Sequence, residues 1–292
     1  MRERVPSTLY QSITEEIVEA IKQGAGTFQM PWHTSPPMPV NAATDAPYRG
    51  INVVSLWIGA LKRGYASGYW ASYRQWQKLG SQVRKGERGT LIVFYKGLPQ
   101  PEGEPETEGR RFVLKSSHVF NAAQVEGWTP PDLPAEPGFD PHAQAEAFVS
   151  ATGARVRHGF HHARYRADLD DIEMPSRAWF TGSSTSTSLE TYYATLLHEL
   201  THWSGASHRL AREFGKRFGD QAYAMEELVA ELGAAFLCAH LGITNRPRPD
   251  HAAYLASWLQ ILEADTRAVF LAASQAQQAV EYLGALAADN RS

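Results

Sequence analysis

The chain has 292 residues, 43% hydrophobic and 20% charged, a globular composition with enough length for two domains, each with its own core. The single Cys238 excludes an intramolecular disulfide and fits a reducing cytoplasm. No apolar run approaches membrane-spanning length, and Met1-Arg2-Glu3-Arg4 leads into a polar amphipathic helix rather than a signal peptide. The net charge of −3 is uneven: residues 1–126 carry 15 Lys+Arg against 11 Asp+Glu, and the remainder 13 against 20, so the two halves are expected to meet different partners.

The first predicted element is a helix over 7–22, with Ser7 as cap, Leu9, Ile13, Ile17 and Ile21 on one face, and Gly24 just past its end. A Pro-rich stretch (Pro31, Pro36, Pro37, Pro39) follows. Ile51 to Leu61 is then a buried helix or strand containing Trp57, and Tyr73 to Leu79 a helix. Thr90 to Tyr95 and Arg111 to Phe120 pair as a hairpin whose mobile tip is 98–110, where Glu102, Glu104, Glu106 and Glu108 gather. Pro130, Pro131, Pro134, Pro137 and Pro141 mark a linker, which divides the chain into 1–128, a linker 129–142, and 143–292. Beyond it come a helix over Ala143 to Ala151 and strands at Ala154 to Gly159, Ala163 to Ala167 and Asp171 to Met174, with Trp179-Phe180 in another. Two helices separated by a polar loop (Arg212 to Tyr223) follow, and two more occupy about 250–264 and 265–285. Strands followed by helices make this an α+β chain.

His198-Glu199-Leu200-Thr201-His202 lies on the first of the paired helices, which Ser188 or Thr191 can cap. Histidines four apart share one helical face and can reach one cation, with Glu199 between them to take a proton from water: the zinc-hydrolase pattern. A catalytic zinc usually takes a third protein ligand, and two candidates lie downstream. His208 completes His198-Glu199-x-x-His202-x-x-Gly205-x-x-His208, the metzincin spacing in which glycine turns the chain back to the metal. Glu227, on a second helix running to about His240, is favoured because no Met-turn follows His208. Glu231, four residues on, is then placed to hold a ligand histidine from behind. Leu228, Leu232, Ala235, Phe236 and Leu237 form the core stripe of this helix, leaving Glu226 on the surface and Cys238 as a buried small hydrophobe.

In the N-terminal half, aromatic and basic residues interleave: Arg49, Trp70, Tyr73, Arg74, Arg84, Lys85 and Arg88, with Gly80 to Gly89 as a glycine-framed basic turn. Rings that stack bases beside cations that track phosphates suit single-stranded DNA, although Trp57, Trp70 and Trp76 could equally build a core.

Tyr48-Arg49-Gly50-Ile51-Asn52, Trp70 with Tyr73-Arg74-Gln75, Gly80-x-x-Val83-Arg84-Lys85-Gly86-Glu87 and Val119-Phe120-Asn121-x-x-Gln124-Val125-Glu126-Gly127 resemble the N-terminal domain of ArdC-type antirestriction proteins. The 198–205 motif, Arg209-Leu210 and Tyr223-Ala-x-Glu-Glu-Leu-Val-Ala-Glu231 resemble the metallopeptidase domain that follows it in that family and recurs in polyvalent proteins. The resemblance implies a cytoplasmic protein encoded by a plasmid or mobile element and linked to conjugation. It further implies a single-stranded-DNA-binding domain, a zincin-like domain, and protection of incoming DNA from host restriction. Glu227 would be the third ligand of Zn2+, with Mn2+ as an alternative ion, and a host restriction-modification protein the natural peptidase target. His208 and the Glu102–Glu108 loop depart from what the family requires. Two rival readings need less: a DNA-occluding protein whose metal is structural, with His208 as a fourth ligand, and a metal-dependent nuclease, for which no carboxylate-rich two-metal cluster is visible.

Overall fold

The computed structural model describes residues 7–24, 30, 32, 37–97, 112–131, 140–182, 186–218, 221–243 and 251–289. The glutamate-rich tip at 98–110 and residues 132–139 of the Pro-rich segment lie outside them.

The N-terminal part runs through α1 (Ser7–Gly24), β1 (Val40–Asn41), α2 (Ile51–Arg63), β2 (Tyr69–Ser72), α3 (Tyr73–Lys78), β3 (Gln82–Val83), β4 (Thr90–Gly97), β5 (Phe112–Asn121) and β6 (Val125–Glu126). Isoleucines four residues apart give α1 one buried stripe of Ile13, Ile17 and Ile21. Of the two readings of Ile51 to Leu61, the helix is realised; it stops at Gly64, whose positive φ of 67° lets its N–H reach the Ala60 and Leu61 carbonyls. A capping box between Ser72 and Gln75 starts α3. β4 and β5 form the expected hairpin, in register from Thr90↔Val119 to Gly97↔Phe112, within a sheet ordered β1-β2-β5-β4.

The C-terminal part contains α4 (Pro141–Ala151), β7 (Arg155–His158), β8 (Arg164–Arg166), β9 (Asp171–Met174), α5 (Ser188–Ser204), α6 (Gly215–Phe218), α7 (Ala222–Leu241), α8 (His251–Ala264) and α9 (Ala268–Asp289). Its sheet has the order β7-β9-β8, with β7 parallel and β8 antiparallel to β9. Trp179-Phe180 is not a strand. Pro175 has no N–H to extend the ladder, so the chain leaves β9 and makes a 3-10 turn at Arg177–Trp179. The α5 cap is Thr187 and neither of the expected Ser188 and Thr191: Thr187 Oγ1 accepts from Glu190 N at 3.2 Å, and Glu190 Oε2 accepts from Thr187 N at 2.7 Å.

The expectation of one core per half meets a different arrangement. The largest hydrophobic cluster joins Ile13 and Ile21 of α1, Trp57 of α2 and Val93 of β4 to Leu232 and Phe236 of α7, Trp258 of α8 and Val269 of α9. Trp57 and Phe236 meet with ring centroids 5.7 Å apart. A second cluster, with Leu197, Leu200, Ile172, Met174 and Leu237, lies under the β7-β9-β8 sheet. Helix α7 contributes to both, so its expected one-sided stripe is instead burial on every side from Leu228 to Cys238, Glu231 included. Burial pushes the Cys238 thiol well above its ordinary value, consistent with a packing role. Among the described residues no helix is long and apolar enough to cross a membrane.

A core shared across the Pro-rich segment makes the two halves one cooperative unit. We expect a single calorimetric unfolding transition, and Trp57→Ala to lower stability by about 3–5 kcal/mol while keeping that transition single. Two separate transitions, with only the first shifted by the substitution, would contradict the shared core.

Candidate metal centre

On α5, His198 and His202 are one helical turn apart and point the same way. Their Nε2 atoms face each other at 3.1 Å. Helix α7 lies against this face because residue 233 is glycine: a Cβ there would sit 2.5 Å from Thr201 Cγ2 of α5. That close approach brings Glu227 onto the imidazoles, with Oε2 3.5 Å from His198 Nε2 and Oε1 3.4 Å from His202 Nε2. A cation with ligand bonds of about 2.0–2.2 Å in tetrahedral geometry separates its ligand atoms by about 3.3–3.6 Å. The two imidazole nitrogens lie 3.1 Å apart and each faces a different oxygen of Glu227 at 3.4–3.5 Å, so one donor atom from each of the three side chains can reach a single divalent ion.

Both imidazoles are backed by carboxylates. Glu231 Oε2 lies 3.6 Å from His198 Nδ1, and Glu231 Oε1 accepts from the Trp32 indole N–H at 3.1 Å. A residue of the N-terminal half thus supports the site from behind. Glu226, expected on the surface, instead has Oε1 3.2 Å from His202 Nδ1 and is gripped by Arg212, whose Nε and Nη2 donate to its two oxygens at 3.1 and 2.7 Å. Arg212 is buried, and donates further to the Thr201 carbonyl and the Ser204 hydroxyl. No sequence spacing pointed to Arg212; the signal that existed was Glu226 one residue before a candidate ligand.

Gly205 serves this arginine and not a metzincin turn. Its φ is −81°, open to any residue, but a Cβ would lie 2.5 Å from Arg212 Nη2. His208 correspondingly stays outside the three-residue group: Arg209 Nη1 is 2.7 Å from its Nε2, and Asp170 Oδ2 3.3 Å.

Glu199 is buried at the cleft edge, where its Oε2 accepts from the Tyr165 backbone N–H at 2.9 Å. Tyr165 is fixed in turn, its hydroxyl donating to Asp170 at 2.8 Å while Arg209 Nη2 donates to the same hydroxyl at 3.1 Å. The cleft measures about 490 Å3 and is lined by the histidines, Glu199, Arg164, Tyr223 and Tyr254. Tyr223 entered the sequence reading only as the end of a polar loop and the first residue of a family motif, and Tyr254 not at all; their hydroxyls lie 3.3 Å apart.

The electrostatics are those of a cation-binding pocket. Burial opposes charge on His202, yet Glu226, Glu227 and Glu199 outweigh it and raise its pKa to about 10. Burial likewise opposes ionisation of Glu227, but His198 and His202 hold its carboxyl well below the ordinary range.

The DNA-binding candidates fare unevenly. Trp70 is buried against Leu56, Ala60 and Val119, so its ring has no face for a base. Trp57 and Trp76 are buried too, because a sheet this small needs its largest rings inside. Arg49 is paired with Glu281 of α9, and Arg84 donates to Glu87 and the Ala123 carbonyl. Tyr73, Arg74, Lys85 and Arg88 are exposed, and Gly86, with φ of 87°, supplies the left-handed bend of the basic turn.

Residues 7–120 match the N-terminal domain of anti-restriction factor ArdC, and residues 143–275 match a zincin-like metallopeptidase family. Solved structures of the antirestriction protein ArdC from the R388 plasmid superpose on 96% of this chain and 98% of their own length. The metal-free form has a TM-score of 0.80 at 39% identity, and the Mn(II)-bound form 0.77 at 40%. The uncharacterized protein y4eC of Sinorhizobium fredii is 44% identical over 98% of this chain and 94% of its own. A DNA primase TraC of Escherichia coli is 33% identical over 96% of this chain but only 27% of its own length. The zincin-like match and the Mn(II)-bound relative indicate a divalent metal.

Two outcomes follow from the wiring of the site. Without metal, the raised His202 pKa contributes stability that is complete below the unfolded value and lost as pH rises through about 10. Metal requires neutral His202, so binding near neutrality should release a proton and tighten about tenfold per pH unit, as read by calorimetry in buffers of different ionisation enthalpy. Binding without proton release would refute this. Trp32→Phe keeps the bulk but removes the indole N–H that donates to Glu231; chelator competition should then report metal affinity about 10- to 100-fold weaker.

Proposed function

This chain belongs to the ArdC antirestriction family, and from that premise we propose that it binds single-stranded DNA, carries a zinc-dependent peptidase site and protects incoming plasmid DNA from host restriction. The observation that carries the peptidase reading is the donor set: His198, His202 and Glu227 converge while Glu199 stands beside them at the open side of a cleft. Three protein ligands with room for water are the catalytic arrangement, whereas a structural site is closed by a fourth ligand. His208, the residue required for that closure, is engaged by Arg209 and Asp170.

A bound divalent cation, Zn2+ by donor chemistry or Mn2+ as in the relative, supplies Lewis-acid polarisation of a carbonyl and acidifies water. The chain's own residues do the rest. Glu199 takes the proton from water and passes it to the leaving amine, its carboxylate aimed by the Tyr165 N–H. Tyr223 and Tyr254 line the cleft and can donate to the oxygen that gains charge. β8 is an edge strand beside the cleft, so an extended peptide can add to it by backbone pairing.

For DNA, the exposed Tyr73, Arg74, Lys85 and Arg88 offer one ring and three cations on the N-terminal part. The match to the ArdC N-terminal domain supports this reading, as does a relative named as a DNA primase. The organisation proposed is a DNA-binding part at 1–128, a linker at 129–142 and a peptidase part at 143–292. A host restriction-modification protein is the substrate this reading favours.

The test is protection of a transferred plasmid in a restricting recipient. Glu199→Gln should keep metal and DNA binding, lower peptide hydrolysis about 10^2- to 10^4-fold and abolish protection. Full protection by Glu199→Gln, together with its loss on Arg84/Lys85 charge reversal, would replace the peptidase mechanism by DNA occlusion.

A further inference from the structure

The outward face of the β7-β9-β8 sheet carries a regular array of charge. Register aligns Arg155, Asp171 and Arg166 in one row across the strands, and Arg157, Glu173 and Arg164 in the next. The alternate residues Ile172 and Met174 face the core, so all six charges lie on the solvent side. Asp171 and Glu173 are buried beneath the arginines, which pair with them at 2.6–3.4 Å. The guanidinium side chains themselves remain 61%, 40%, 51% and 29% exposed for Arg155, Arg157, Arg164 and Arg166. Two buried carboxylates need two cations, and four are present. Asp168 balances Arg166 at one end only. With Asp168 counted, the array keeps one net positive charge, in a half of the chain that is acidic as a whole.

The other end of the array carries rings. Trp179 is 58% exposed and its ring lies 5.0 Å from His161, while the Arg157 guanidinium sits 5.1 Å over Phe160. His162, also exposed, is 3.1 Å from Glu173. Guanidiniums held in place by buried carboxylates are preorganised for phosphate, and exposed rings beside them stack unpaired bases. An acidic peptide would use the arginines but leave Trp179 without a partner, and a duplex offers no free base face.

We propose that this sheet face is a second docking surface for single-stranded DNA, on the metallopeptidase part of the chain and separate from the N-terminal basic turn. Arg164 belongs both to the array and to the metal cleft, so a strand lying on this face reaches the rim of the metal site. The surface stands whether or not the N-terminal residues bind DNA.

The experiment is anisotropy of a labelled oligothymidylate of about 20 nucleotides on the full-length protein over a range of salt. Trp179→Ala removes only an exposed ring, and Arg155→Gln with Arg164→Gln leaves Asp171 paired with Arg157 and Glu173 with Arg157 and Arg166. Trp179→Ala should weaken binding about 5- to 100-fold, and the double variant should reduce the logarithmic salt slope by about 1.4, at unchanged melting temperature. Ultraviolet cross-links should fall on the peptide containing Trp179. Wild-type affinity and slope in both variants, or cross-links confined to residues 49–128, would overturn the proposal. So would a double variant that loses poly-glutamate binding but not oligonucleotide binding.

Discussion

The close contact of α5 with α7, made possible by Gly233 against Thr201, is the constraint on which the rest of the site depends. It puts Glu227 and Glu231 in the protein interior, where an ionised carboxylate is costly unless it is paired. The imidazoles of His198 and His202 supply that pairing, and a divalent cation would supply it more completely. Buried like this, the three donor side chains are held together by the packing of two helices, with no dependence on loop conformation.

Each imidazole has its own support, from a different part of the chain. His202 is backed by Glu226 and Arg212, and Arg212 in turn needs the missing side chain of Gly205. His198 is backed by Glu231 and Trp32. The second support crosses from the N-terminal half, in keeping with the shared core of α1, α2, α7, α8 and α9. The N-terminal half and the metal site are therefore mechanically continuous, although a Pro-rich segment separates them in sequence.

The N-terminal half spends its large rings on packing. Trp57, Trp70 and Trp76 are inside, while Tyr73, Arg74 and the basic turn face outward. The opposite pattern holds on the β7-β9-β8 sheet. Its core needs are met by Ile172 and Met174, so the alternate positions are free to carry arginines and the neighbouring turn to expose Trp179.

How much of this was legible in sequence depends on the range over which each signal acts. Helical spacing is local, so residue order alone placed His198 and His202 on one helix face with Glu199 between them in sequence, and Glu227 with Glu231 on one face of another helix. The same locality recovered α1, the β4–β5 hairpin and the C-terminal helices to within a few residues. The cap of α5 was expected at Ser188 or Thr191 and lies at Thr187, because all three are competent and only the reciprocal bond to Glu190 separates them. Other questions turned on what lies across a packed interface. Gly205 fits a metal-directed turn until the Arg212 guanidinium is found where its Cβ would be. Trp70 suits base stacking until Leu56 and Val119 cover it, and Glu226 reads as surface until Arg212 and His202 close on it. Sequence by itself determined which side chains could meet on one helix face, because a helix repeats every 3.6 residues wherever it sits. Only the tertiary structure decided which faces met and which rings were covered, because burial and pairing belong to partners tens or hundreds of residues apart along the chain.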